Sequence, residues 1–174
     1  VINMKIDRVL KLAERRSKKD ARLERRSDNL SHFSIPREKV VCEAVPFAQG
    51  ASGKVHRARY HNQMVAAKMV SLRNISIEQM RRGHDAFMRE LDIICRLSHP
   101  YVVRTFGACT DDASELVLVM ELAEGGTLRD MLRSERGGAL TDPERLQMVS
   151  QIAAGMSYLH SREIAHRDLK SLNV

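Results

Sequence analysis

Every β-favouring stretch of this chain lies before residue 122, and its two clearest helix starts lie after it. That segregation constrains the fold more than any other feature. Residues 39–47, 54–60 and 64–71 are short β-favouring stretches. Tyr60-His61-Asn62-Gln63 reads as a hairpin turn between the last two. Residues 77–97 have helical spacing instead, with Phe87, Leu91 and Ile94 on one stripe. Two more strands, 101–109 and 115–121, are joined by 110–114. Gly125-Gly126 interrupts the chain, Thr127 caps a short helix over 128–134, and Gly137-Gly138 breaks it again. Thr141-Asp142-Pro143-Glu144 is a capping box with a proline in the first turn. It opens a helix with Leu146, Val149, Ile152, Ala153, Met156 and Leu159 inward. Five strands with one inserted helix, then helices, predict an α+β fold.

Composition excludes several classes. At 43% apolar and 29% charged residues, the chain is neither wholly disordered nor buried in a membrane. Its longest unbroken aliphatic run, 116–120, is far short of a membrane span. Cys42, Cys95 and Cys109 make no Cys-x-x-Cys pair and read as reduced intracellular thiols, the last two as small buried hydrophobes. The chain starts at Val1 without a signal-peptide pattern, and reads as a piece of something longer.

The formal net charge of +7 is unevenly spread. Residues 1–27 carry ten Lys/Arg against four acids, a surplus of +6, which leaves +1 for residues 28–174. Ile2, Ile6, Val9, Leu10 and Ala13 fall at helical spacing within this basic arm. An arm of this kind suits an anionic membrane surface; a solvated helical linker is the plainer reading. It has no interleaved aromatic residues, so no nucleic-acid partner is expected. The polar stretch 27–36 closes a basic arm and linker, 1–36.

Three groups of residues carry chemistry. Gly50-Ala51-Ser52-Gly53-Lys54-Val55 lies between the first two strands, where glycine lets backbone N–H groups approach phosphate oxygens. A glycine hairpin is also a common turn, and Ala48 stands where a G-x-G-x-x-G-x-V loop has its first glycine. Lys68 ends Val65-Ala66-Ala67-Lys68 on the same strand face as Ala66, so it points inward and needs an anion. Glu90 falls on the stripe of Phe87 and Ile94, and a buried Glu and Lys are expected to pair. The strongest signal is His166-Arg167-Asp168-Leu169-Lys170-Ser171-Leu172-Asn173. A carboxylate accepts a hydroxyl proton, a lysine neutralises a transferring phosphoryl group and an Asn carbonyl holds Mg²⁺.

With these marks in this order, the sequence resembles a eukaryotic-type protein kinase domain. The resemblance implies a five-stranded antiparallel N-lobe sheet with one αC helix, a hinge and a helical C-lobe, taken here as 37–119, 120–126 and 127–174. It implies ATP and Mg²⁺ as cofactors and protein serine or threonine hydroxyls as substrates. Gly50 and Gly53 would cover the phosphates, and Val55 and Ala66 the adenine ring. Lys68 would hold the α- and β-phosphates and pair with Glu90. Met120 falls at the gatekeeper position, before hinge residues Glu121, Leu122 and Ala123. Asp168 would be the catalytic base, Lys170 the transition-state cation, Asn173 a Mg²⁺ ligand and Arg167 the sensor of a phosphorylated activation loop. His166 would be structural. Lys170 resembles serine/threonine kinases. Together with His99-Pro100-Tyr101-Val102-Val103 and Gly107-Ala108-Cys109-Thr110, the octapeptide resembles the tyrosine-kinase-like group of Raf-like, mixed-lineage and receptor-like kinases.

The Asp-Phe-Gly, the activation segment and later helices of that family do not occur in the 174 residues. The inward face of the 146–159 helix is therefore expected to be partly exposed and this piece to be inactive alone. A pseudokinase that holds protein partners is the alternative, opposed by the presence of Lys68, Asp168 and Asn173. The expected location is cytoplasmic, including the cytosolic part of a membrane-anchored receptor-like kinase.

Overall fold

Residues 53–71 fold back on themselves because Tyr60 and Gln63 pair across His61 and Asn62, both in the left-handed region at φ 46° and 61°. Such paired left-handed residues match the twist of a two-residue hairpin. The computed structural model describes residues 32–50, 53–71, 84, 87, 88, 90–112 and 114–174. The basic arm of 1–27, most of the linker, and the start of the 77–97 helix lie outside the described residues. The chain divides into two compact units, one with its described residues up to Leu97 plus Thr105–Leu122, the other with Ser98–Arg104 and Ala123–Val174.

The first unit is an antiparallel sheet. Its strands are β1 (Val41–Cys42), β2 (Ala48–Gly50), β3 (Gly53–Tyr60), β4 (Gln63–Ser71), β5 (Thr105–Cys109) and β6 (Glu115–Glu121). They run in the order β1-β3-β4-β6-β5, with β2 also on β3. The sheet has six strands, where five were expected, because the 39–47 stretch is not continuous. Arg37–Lys39 is a 3₁₀ turn, anchored by the Arg37 backbone N–H to Asp111 Oδ2 at 2.7 Å. Pro46 has no N–H to give the ladder, and pairing resumes only at Ala48. Residues 101–104 likewise stay out of β5. His99 and Val102 bridge each other, and the Tyr101 N–H donates to His99 Nδ1 at 3.2 Å.

One face of this sheet buries Ile35 and Val40 against Ala58, Val65, Ala67, Cys109, Val117 and Val119. Val65, Ala67 and Val119 have no solvent exposure. Burial pushes the Cys109 thiol up to about 11 and the Cys95 thiol up to about 12, as expected of packing residues rather than redox sensors. Residues 84, 87, 88 and 90–95 form the described part of a helix, α1. Its Phe87-Leu91-Ile94 stripe is buried, as the spacing predicts.

The second unit contains α2 (Leu128–Arg133), α3 (Glu135–Gly138) and α4 (Asp142–Ser161). Both expected caps form: Thr127 and Thr141 exchange hydrogen bonds with Asp130 and Glu144 in capping boxes. Gly137-Gly138 does not break the chain as expected but completes the helical turn α3. A Cβ on the buried Gly137 would come within 2.5 Å of the Met131 carbonyl oxygen, so glycine lets the turn close onto α2. Of the α4 stripe only the C-terminal part is covered. Leu159 is fully buried, whereas Leu146 and Val149 are 70% and 61% exposed and Ala153 is exposed. The stripe is thus partly exposed, as expected. Segment 98–104 is tied to α4 by the Ser98 N–H donating to the Tyr158 hydroxyl at 2.9 Å, and by His99 stacking on the Tyr158 ring at 4.8 Å.

Candidate active site

In an antiparallel sheet, directly opposed residues share a face. Val55 opposes Lys68, which opposes Leu118, while Ala66 opposes Met120, which opposes Thr105. Val55, Ala66, Lys68 and Met120 therefore stand on one face, opposite to the Val65–Ala67–Val119 core. Lys68 is 7% exposed, which meets the expectation of an inward lysine. Gly50 and Gly53 oppose each other at the end of the β2–β3 hairpin, whose tip, 51–52, lies outside the described residues. Gly53 has φ 125°, and a Cβ there would collide with the Met69 carbonyl oxygen, so this position admits only glycine. Glu121 and Ala123, at the end of β6 and just beyond it, are exposed.

Glu90 lies on α1 between the buried Phe87, Leu91 and Ile94. Burial pushes its carboxyl up to about 8.

In the other unit, the octapeptide follows the end of α4. That helix stops where Glu163 turns left-handed at φ 60° and the Ile164 N–H returns to the Leu159 carbonyl at 2.9 Å. His166 is buried and its carbonyl accepts the Asp168 N–H at 2.9 Å, with Arg167 left-handed at φ 60° between them. The Asp168 carboxylate is held at both oxygens. Lys170 Nζ lies 3.1 Å from Oδ1, and the Asn173 side-chain amide donates to Oδ2 at 3.0 Å. The same amide donates to the Asp168 carbonyl at 2.6 Å. A 3₁₀ turn, Ser171–Asn173, carries Asn173 back to this position, and the Leu128 N–H closes it by donating to the Val174 carbonyl at 2.7 Å.

Asp168, Lys170 and Asn173 are therefore brought together; Lys68 and Glu90 belong to the other unit. Sequence reasoning passed over Arg129 and Arg133, which α2 sets beside Lys170. Nothing in their spacing marks them, because the 3₁₀ turn that packs there is not visible in a helix pattern.

The family model for protein tyrosine and serine/threonine kinase matches residues 44–174. The chain belongs to the protein kinase family. Its kinase relatives include mouse serine/threonine-protein kinase TNNI3K, 37% identical over 127 residues, covering 72% of this chain and 15% of that protein. Arabidopsis thaliana serine/threonine-protein kinase CTR1 is 36% identical over 127 residues, with the same two shares. Arabidopsis serine/threonine/tyrosine-protein kinase HT1 is 32% identical over 128 residues, covering 74% of this chain and 33% of that protein. The match thus spans only a minor part of each relative's length. The expected resemblance to serine/threonine kinases of the tyrosine-kinase-like group holds. Among the described residues no helix is long and apolar enough to cross a membrane.

Kinases of this family generally use ATP and Mg²⁺, and the donor set of the loop fits the ion. Both hydrogen bonds of the Asn173 amide leave through its nitrogen, so its carbonyl oxygen is left as a hard ligand.

Proposed function

We propose that the protein carrying this chain is an ATP-dependent protein serine/threonine kinase. The observation that carries the reading is the two-sided hold on the Asp168 carboxylate by Lys170 and Asn173. Asp168 accepts the proton of the attacking hydroxyl, and the hydrogen bonds keep its carboxylate in one orientation for that transfer. Lys170, 3.1 Å away, offsets charge that develops on the transferring phosphoryl oxygens. Bound Mg-ATP would supply the phosphoryl group, and Asn173 would hold the ion.

In the sheet unit, Lys68 would hold the α- and β-phosphates; Glu90, whose carboxyl burial pushes up to about 8, would pair with it only once ionised. Gly50 and Gly53 cover the phosphates, while Val55, Ala66 and Met120 present an apolar face to the adenine. The backbone of Glu121 and Ala123 reads its edge. The proposed boundaries are 37–119 for the N-lobe, apart from 98–104, which belongs to the helical unit, 120–126 for the hinge and 127–174 for the C-lobe part. The proposed site of action is cytoplasmic.

The test is phosphoryl transfer from radiolabelled ATP to a protein substrate by the full-length protein, its Lys68→Ala variant and its Asp168→Asn variant. Both variants should fall by about 10²-fold or more. Equal activity in all three would overturn the reading in favour of a module that only holds partners.

A further inference from the structure

A pocket of about 400 Å³ lies in the helical unit beside the octapeptide. One wall is α2, with Arg129, Leu132 and Arg133; the other is the turn of Lys170, Ser171 and Leu172. Three of these six side chains are cations and none is an acid. The nearest acid in sequence, Asp130, is committed to the Thr127 cap, its Oδ2 accepting the Thr127 hydroxyl at 2.5 Å. Among the described residues, neither Arg129 nor Arg133 is held in an ion pair. The leucines are half-exposed and give the same walls an apolar part.

We propose that this pocket receives acidic side chains of the protein substrate, so that the kinase selects serine or threonine hydroxyls flanked by Asp, Glu or a phosphorylated residue. The proposal rests on the kinase reading above and adds its substrate class. Lys170 belongs to both places: it lies 3.1 Å from the carboxylate assigned to the acceptor hydroxyl, and it lines the pocket. A peptide that brings a hydroxyl to Asp168 therefore carries its neighbouring residues over Arg129 and Arg133. Lys170 is already paired with Asp168, so the positive surplus of the concavity comes from Arg129 and Arg133, and two like charges there draw an anion in. The guanidinium fork fits a carboxylate or phosphate with two parallel hydrogen bonds, which an uncharged flank cannot make. The exposed leucines favour an acidic segment that also has an aliphatic residue.

The test is binding, read by fluorescence anisotropy on the full-length protein. Two labelled peptides share a central serine; one has Asp, Glu and Leu flanks, the other Lys, Gln and Leu. The acidic peptide should bind about tenfold more tightly, equivalent to two or three exposed charge pairs. The preference should shrink with added salt, which needs no variant. Arg129→Glu with Arg133→Glu should abolish or invert it, while Arg145→Glu on exposed α4 should leave it unchanged. Equal affinity for the two peptides, or an equal loss in the α4 control, overturns the proposal. Phosphoryl transfer by the full-length protein keeps the two readings apart. Transfer to both peptides at equal rates with equal affinities rejects the pocket and retains the kinase. A persistent binding preference without transfer to either rejects the kinase activity and leaves the acidic-peptide site standing.

Discussion

The side-chain amide of Asn173 donates to both the backbone carbonyl and the carboxylate of Asp168, at 2.6 and 3.0 Å, across five residues of chain. A residue read as a metal ligand thus also fixes the geometry of the proposed base. Asn173→Ala removes both hydrogen bonds, and should cost about 1–2 kcal/mol of stability across the pH range. Asn173→Asp does something different, because it sets a second carboxylate against Asp168. Like charges at that distance repel. Its loss should be larger than that of Asn173→Ala at neutral pH and should recover on acidification. Thermal melts of the three chains across pH check this. Parallel pH profiles for the two variants would mean that the Asp168 carboxylate does not feel residue 173.

Glu90 makes a second pH-dependent contribution of known sign. Its folded-state carboxyl is raised from 4.5 to about 8 by burial. The folded chain therefore holds this proton more tightly than the unfolded one. The resulting stability is fully present below pH 4.5 and is lost as pH rises toward about 8. Glu90→Gln keeps the shape and removes the ionisation. Its melting temperature should exceed that of the unaltered chain increasingly as pH rises through that window. A constant difference between the two melts would place Glu90 in water.

Much of the site was legible because it is local. Asp168, Lys170 and Asn173 are neighbours in sequence, and one 3₁₀ turn suffices to gather them. Strand alternation gave the inward face of Lys68 for the same reason, since a period of two leaves no choice of side. Features set by distant partners were not legible. The split of the 39–47 stretch depends on Pro46 and on Asp111, whose carboxylate anchors Arg37 from 74 residues away. Residues 98–104 look like the start of a strand, yet Tyr158 claims them for the helical unit from 60 residues away. The cationic pocket required α2 and the turn after Lys170 to pack together. No periodicity in either segment predicts that packing.

The end of α4 is strained at one residue. Glu163 occupies the left-handed region at φ 60°, where the Glu163 and Ile164 N–H groups return to the His160 and Leu159 carbonyls, both at 2.9 Å. For a residue with a Cβ that conformation costs about 1–2 kcal/mol, and glycine adopts it freely. Part of the gain is offset by the greater freedom of glycine in the unfolded chain. Glu163→Gly should therefore stabilise the chain by about 0.5–1 kcal/mol, seen as a rise in the urea midpoint. Glu163→Ala, which keeps the Cβ but removes the charge, should not. If alanine stabilised as much as glycine, the charge rather than the backbone would be the cause.

Leu146 and Leu159 stand at opposite ends of α4 and have the same side chain, but only Leu159 is buried. Truncating it to alanine removes apolar area and leaves a cavity, which should cost about 2–5 kcal/mol. Leu146 is 70% exposed, so Leu146→Ala loses little contact and should change stability by less than about 0.5 kcal/mol. Val149→Ser tests the intermediate position, 61% exposed, with the same small effect expected. Urea denaturation of the three variants measures the gradient directly. Comparable losses at residues 146 and 159 would require that the first turns of α4 be covered in solution, for instance by self-association. That outcome would also make the midpoints depend on protein concentration, whereas a stripe buried only at its C-terminal end predicts midpoints independent of it.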